Sequence, residues 1–151
     1  MITNFKQFNE NLLVPRNLEG RKDKLNQMNI KLLSQEVIDG NLMLDESFMD
    51  IDPKFIKLKK VNGSVYLTGG KWTEMPIWLK DVEIEGDFWC MNNKLVTLIN
   101  CPYKVGGDFT CISQNLYQKG GPENIEGDFW FSDEIKMKLP DYAKVIGKFR
   151  N

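Results

Sequence analysis

The sequence predicts a repeat solenoid, mainly β, of about six rungs behind an N-terminal helical cap. Three observations carry this. A unit reading apolar-x-Gly-Asp-Phe-x-Cys recurs in register, prolines recur at a nearly fixed distance from it, and the first 36 residues follow a helical period instead.

The repeats come first, because a fixed period of 20 to 50 residues decides the whole architecture. Ile84-Glu85-Gly86-Asp87-Phe88-Trp89-Cys90 is matched by Val105-Gly106-Gly107-Asp108-Phe109-Thr110-Cys111 and by Ile125-Glu126-Gly127-Asp128-Phe129-Trp130-Phe131. Looser copies surround Gly40, Gly63 and Gly147, so the aligned glycines are spaced by 23, 23, 21, 20 and 20 residues. Pro53, Pro76 and Pro140 stand eleven residues beyond Leu42, Val65 and Phe129, while Pro102 and Pro122 come two or three residues later in their copies. Each rung is therefore expected to end in a proline-marked turn.

Alternate residues of a strand face opposite sides. Phe88 and Cys90 then point inward, and Asp87, Trp89 and Met91 point outward. The expected interior column is Leu42, Val65, Phe88, Phe109, Phe129 and Phe149, one member per rung at about 4.8 Å. Residues 37–151 make up the solenoid and residues 1–36 the helical segment, together one domain. In that segment Phe5, Phe8, Leu12 and Leu13 share one helical face, and Leu25, Met28, Leu32 and Leu33 share another. Pro15 separates them. A cap of this kind keeps the first rung from exposing core.

Phe88-x-Cys90-x-x-Asn93-x-Leu95-x-x-Leu98 fits the leucine-rich-repeat spacing. With Cys101-Pro102-Tyr103-Lys104-Val105-Gly106-Gly107-Asp108-Phe109 it resembles the P-x-x-V-x-G-D-F-x-C-x-x-N-x-L repeats of leucine-rich-repeat-like proteins of bacteria and tailed phages. The likeness covers roughly residues 61–131, and Gln114 and Glu134 replace the asparagine in later copies. It implies a single parallel sheet and a scaffold shared by many functions, not one activity. A β-helix stays open, since rungs this long suit both. Met1-Ile2-Thr3-Asn4-Phe5-Lys6-Gln7-Phe8-Asn9-Glu10 is similar to the N-terminal peptide of T-even-like phage proteins, which directs some of them into the prohead.

Composition narrows the function. With 42% hydrophobic and 27% charged residues the chain reads as an ordinary soluble domain. A net charge of −1 with scattered basic residues lacks the footprint of a nucleic-acid binder. No basic segment leads into an apolar run at the N-terminus and no stretch is long enough to span a membrane, so the expected location is the cytoplasm, the host's if the protein is phage-encoded. Cys90, Cys101 and Cys111 are odd in number and without metal-type spacing, which fits reduced thiols. Cys90 and Cys111 fill the same interior position of adjacent rungs, and Cys101, in a turn, is expected to be more exposed.

The chain contains no histidine, which removes histidine-based triads and the commonest general base, and it holds no P-loop or dinucleotide glycine motif. No catalytic residue, metal or cofactor is expected. Asp87, Asp108 and Asp128 form a column that could crowd charge or hold a cation. A group copied in register with the scaffold glycine is better explained as part of the repeat's own hydrogen bonding, because catalytic sites bring different groups together.

The outward slot between the two interior residues varies: Met43, Tyr66, Trp89, Thr110, Trp130 and Arg150. The next outward slot holds Met91 and Ile112. Tyr66, Trp89, Met91 and Trp130, edged by Asp87, Asp108 and Asp128, have the composition of an interface core. The expected function is a non-enzymatic protein-binding module, phage-encoded and acting on a host protein with a basic or apolar surface. An inhibitor of a defence system such as CRISPR-Cas, or another host-takeover factor, would fit. The alternative is a structural, assembly or packaged internal protein that self-associates through its solenoid ends, including a homodimer through the C-terminal rung.

Overall fold

The computed structural model describes residues 18–112, 120–131 and 144–150. The helical face expected at Phe5 to Leu13, the packaging-like peptide, and the slots of Gln114, Glu134 and Pro140 lie outside the described residues.

One helix, α1 (Leu18–Leu33), opens the described chain. Glu19 in its first turn and Lys31 in its last complement the helix dipole. Its end is tied down locally, where the Ser34 N–H donates to Ile30 O (2.9 Å) and the Ser34 hydroxyl to Lys31 O (2.8 Å). The next chain segment is tied to it as well, since the N–H groups of Lys57 and Leu58 both donate to Leu33 O. The buried face is turned from the one expected: Leu33 and Asn29 are buried, Ile30 and Leu32 pack against the core, and Leu25 is exposed. Asn29 sets that rotation, because its amide donates to the Ser47 hydroxyl (2.8 Å) and to Ser47 O (3.3 Å).

Short strands then follow in pairs on either side of each aligned glycine. They are β1 (Val37–Asp39) and β2 (Leu42–Leu44), β3 (Lys60–Asn62) and β4 (Val65–Leu67), and β5 (Glu83–Ile84) and β6 (Phe88–Trp89). The series continues with β7 (Lys104–Val105) and β8 (Phe109–Cys111), β9 (Asn124–Ile125) and β10 (Phe129–Phe131), and β11 (Lys144–Val145) and β12 (Phe149–Arg150). Odd-numbered strands form one six-stranded sheet and even-numbered strands a second, each in chain order. The strand pairings are parallel.

Two sheets correct the single sheet expected. The cause is the glycine corner. The chain bends there, so the apolar residue before the glycine also turns inward and founds its own column: Ile38, Val61, Ile84, Val105 and Ile125 are all buried. Successive corners stack closely enough that the Gly107 N–H donates to Gly86 O (2.9 Å) and the Gly127 N–H to Gly107 O (3.0 Å). A Cβ on Gly127 would lie 2.6 Å from Gly107 O, a separation that only glycine tolerates.

The expected interior column is present wherever it is described. Leu42, Val65, Phe88, Phe109 and Phe129 are buried, and the last three rings stack at 5.1 and 5.3 Å between centroids. The side chain of Phe149 is not among those described. Proline punctuation takes a defined form in two turns: Pro53 begins the 3-10 helix Pro53–Phe55, and Pro76 caps the 3-10 helix Ile77–Asp81. Trp72 and Trp78 pack in these return segments, and the Trp72 indole donates to Thr68 O (2.9 Å). Among the described residues no helix is long and apolar enough to cross a membrane.

Candidate functional site: the outer face of the even-numbered strands

The residue after each corner glycine works as a link between neighbouring strands. The side-chain oxygen of Asn41 accepts from the Ser64 N–H (2.9 Å), and Ser64 Oγ accepts from the Asp87 N–H (3.0 Å). Asp87 Oδ1 then accepts from the Asp108 N–H (2.8 Å), Asp108 Oδ1 from the Asp128 N–H (2.7 Å), and Asp128 Oδ1 from the Lys148 N–H (2.7 Å). One oxygen of each carboxylate is therefore committed to the scaffold, as the repetition implied. Asn41 and Ser64 belong to the same ladder, which the carboxylate pattern of the sequence does not reveal. Among the described residues no three acidic or thiol groups converge in a metal-binding arrangement.

The second carboxylate oxygen faces outward and is used differently along the sheet. Asp108 Oδ2 accepts from the Trp130 indole (3.2 Å), and Asp128 Oδ2 accepts from Arg150 Nε (2.8 Å). The Arg150 guanidinium also lies over the Trp130 ring, 5.7 Å from its centroid. Hydrogen bonds from Arg150 and from the Lys148 N–H hold the Asp128 carboxyl below its ordinary value against a smaller opposing effect of burial.

The outward row itself is real in part. Met43 is 64% exposed, and Trp89 and Trp130 are each 38% exposed. Tyr66, half-buried, meets Trp89 with ring centroids 6.1 Å apart. Thr110 breaks the row: it is 6% exposed, a short side chain in register between two tryptophans. Met91 is half-buried and lies beyond the end of β6, in a turn where Asn92 takes a positive φ of 57°. Tyr66, Trp89 and Trp130 are thus on one face with the three aspartates, and Met91 stands at its margin.

The outer face of the odd-numbered strands has a different chemistry. Lys60 pairs with Glu85 (2.5 Å), Lys104 with Glu83 (2.6 Å), and the Asn62 amide donates to Asp39 (2.8 Å). A hollow on this face is lined by Lys104, Asn124, Ile125, Glu126, Lys144 and Ile146. This is a solvated charge ladder, whose exposed pairs contribute little to stability. The two outer faces of one fold therefore differ in kind.

All three cysteines are buried free thiols. Cys101 corrects its expected exposure, because the turn that carries it closes inward beside buried Leu98 and Pro102. Burial pushes the Cys90 and Cys101 thiols well above their ordinary value of 9.0. An aromatic disulfide reagent at neutral pH is expected to label none of the three rapidly in the native protein and all three after denaturation; fast native labelling would contradict their burial. The unfolded chain releases these protons first as pH rises, so the thiols' contribution to stability is full below their ordinary value of 9.0 and is lost as the pH rises above it.

Compared with known proteins, the chain matches no protein-family model, no curated protein and no solved structure.

Proposed function

We propose that this chain is a leucine-rich-repeat-like solenoid that acts as a non-enzymatic protein-binding module through the outer face of its even-numbered strands. The observation that carries the reading is the contrast between its two outer faces. A scaffold requires only the inward residues and the corner ladder, yet one face carries exposed Trp89 and Trp130 beside Tyr66 while the other carries Lys–Glu ion pairs and no exposed aromatic ring among the described residues of its strands. Exposed aromatics edged by carboxylates suit a partner surface that is basic or apolar.

The repeat type is favoured by Asn93. It is buried, and its amide donates to Leu67 O (2.8 Å) one strand pair back and to Met91 O (3.2 Å), so it fastens successive turns of chain at the leucine-rich-repeat asparagine position. Phage origin is supported by the resemblance of residues 1–10 and of the repeats. On that origin the partner is a host protein in the host cytoplasm, and inhibition of a defence system such as CRISPR-Cas, or another takeover role, is the reading we adopt.

The test is capture from host lysate by the wild type and by a Trp89→Ala, Trp130→Ala double variant of matching circular dichroism. Both side chains point outward, so the fold is expected to survive. A protein retained by the wild type is expected to be lost by the variant. Identical retention by both forms rejects the strand-face reading.

A second reading rests on a separate observation: β11 and β12 are edge strands among the described residues, and an open edge invites pairing. On this reading the protein is a structural or packaged component that self-associates, in the simplest case as a homodimer through β12. Light scattering after size exclusion decides it. A monomer at every concentration tested removes it.

A further inference from the structure

The outward oxygens of the aspartate ladder follow a rule with one exception. In β10 and β12 the residue in the outward slot reaches back to the aspartate of the strand before it, Trp130 to Asp108 and Arg150 to Asp128. By register, the residue that should serve Asp87 is Thr110, which pairs with Trp89 across β6 and β8. Threonine is too short to repeat the reach of an indole or a guanidinium. Among the described residues no side-chain donor meets Asp87 Oδ2, although Oδ1 is held by the Asp108 N–H.

The same chain shows what occupies such a position when it is filled. At the far edge of the sheet, Asp128 and Trp130 stand two residues apart on one strand and Arg150 comes from the next. Its Nε bonds Asp128 at 2.8 Å while its guanidinium covers the Trp130 ring. Asp87 and Trp89 repeat that pair of residues two strands away, with Thr110 in the place of Arg150. We propose that Asp87 Oδ2 and the exposed part of the Trp89 ring form a receptor for one arginine side chain of the protein partner. It is filled as Arg150 fills its own position.

Arginine is preferred to lysine on physical grounds. The planar guanidinium donates to a carboxylate and stacks on an indole at once, whereas an ammonium is a compact, more strongly hydrated charge. The inference rests on the strand-face reading and names the partner group that the face would recognise.

The probe is N-acetyl-arginine amide, titrated into the full chain while the four tryptophan indole N–H resonances are followed by NMR, with Trp89 assigned by a Trp89→Phe variant. The Trp89 resonance is expected to shift saturably and that of buried Trp72 to stay in place. N-acetyl-lysine amide is expected to bind several-fold more weakly. Asp87→Asn is expected to weaken arginine binding about tenfold, the loss of one charge-assisted hydrogen bond. That variant keeps the ladder, because Asn41 already serves the same slot through its amide oxygen. Thr110→Arg, which fills the receptor from within, is expected to move the Trp89 resonance without ligand and to abolish the titration. No saturable shift at Trp89, equal affinity for lysine, or an unchanged titration in Asp87→Asn overturns the receptor. If the receptor fails while the double tryptophan variant still loses its partner, the strand face stands without it. If arginine binds and partner capture ignores the tryptophans, the strand-face reading falls instead.

Discussion

Replacing Phe109 by alanine is expected to lower stability by about 3 to 5 kcal/mol, read as a fall in the urea midpoint with little change in slope. The ring is fully buried and lies between two others, 5.1 Å from Phe88 and 5.3 Å from Phe129, so its removal empties the middle of the stack. The column cannot close the gap. Its members are held one strand apart by the parallel pairing of β6, β8 and β10, which fixes Phe88, Phe109 and Phe129 in direct register. A loss of this size is a large share of the net stability of a domain of 151 residues. A loss below about 1 kcal/mol would mean that the stack relaxes and that the column is not the backbone of the core. Phe109→Leu, which keeps most of the volume, is expected to recover much of the difference.

The Phe column was legible because a strand has a period of two and the unit is copied: each Phe sits two residues beyond a glycine and two before a Cys or Phe in three successive copies. The second column was not. Ile84 and Val105 precede the glycine, and in a continuous strand the parity of Ile84 with Phe88 and of Val105 with Phe109 would have placed all of them in one sheet. Only the bend at the corner reveals two sheets, and a bend is a property of backbone approach that no residue period announces.

The candidate site was half legible for a similar reason. Trp89 and Trp130 are outward by parity, and parity was enough. Thr110 has the same parity yet is buried, because its exposure depends on the size of its neighbours across the sheet. The role of Asp87, Asp108 and Asp128 as ladder acceptors was implied by their repetition, but the division of labour between their two oxygens was not. That division depends on whether the next strand carries an indole, a guanidinium or a threonine. The burial of Cys101 is not legible, because a turn in sequence does not say which way it closes, and this one lies against Leu98 and Pro102.

Gly107→Ala is expected to be destabilising to a similar degree, although it adds one carbon to a position near the surface. Gly107 is half-exposed, so a count of buried area would rate the change harmless. The obstruction is local backbone. A Cβ there would stand 2.9 Å from Gly86 C and overlap Asp87 Oδ1, the oxygen that accepts from the Asp108 N–H. To make room, β6 and β8 must part at the corner, which stretches the bond from the Gly107 N–H to Gly86 O and loosens the Asp87 link together. Overpacking of this kind costs about 1 to 3 kcal/mol, and the disturbed hydrogen bonds add about 1 kcal/mol each. Thermal unfolding checks the sum, with Lys94→Ala as an exposed control expected to stay within about 0.5 kcal/mol of the wild type. The discriminating comparison is Asp87→Ala in the same assay. It removes the acceptor without crowding the corner, so it is expected to show the lost link alone and a smaller fall than Gly107→Ala. Were the glycine variant as stable as the wild type, the corners would not be in contact and the ladder would have to be held by the side chains alone.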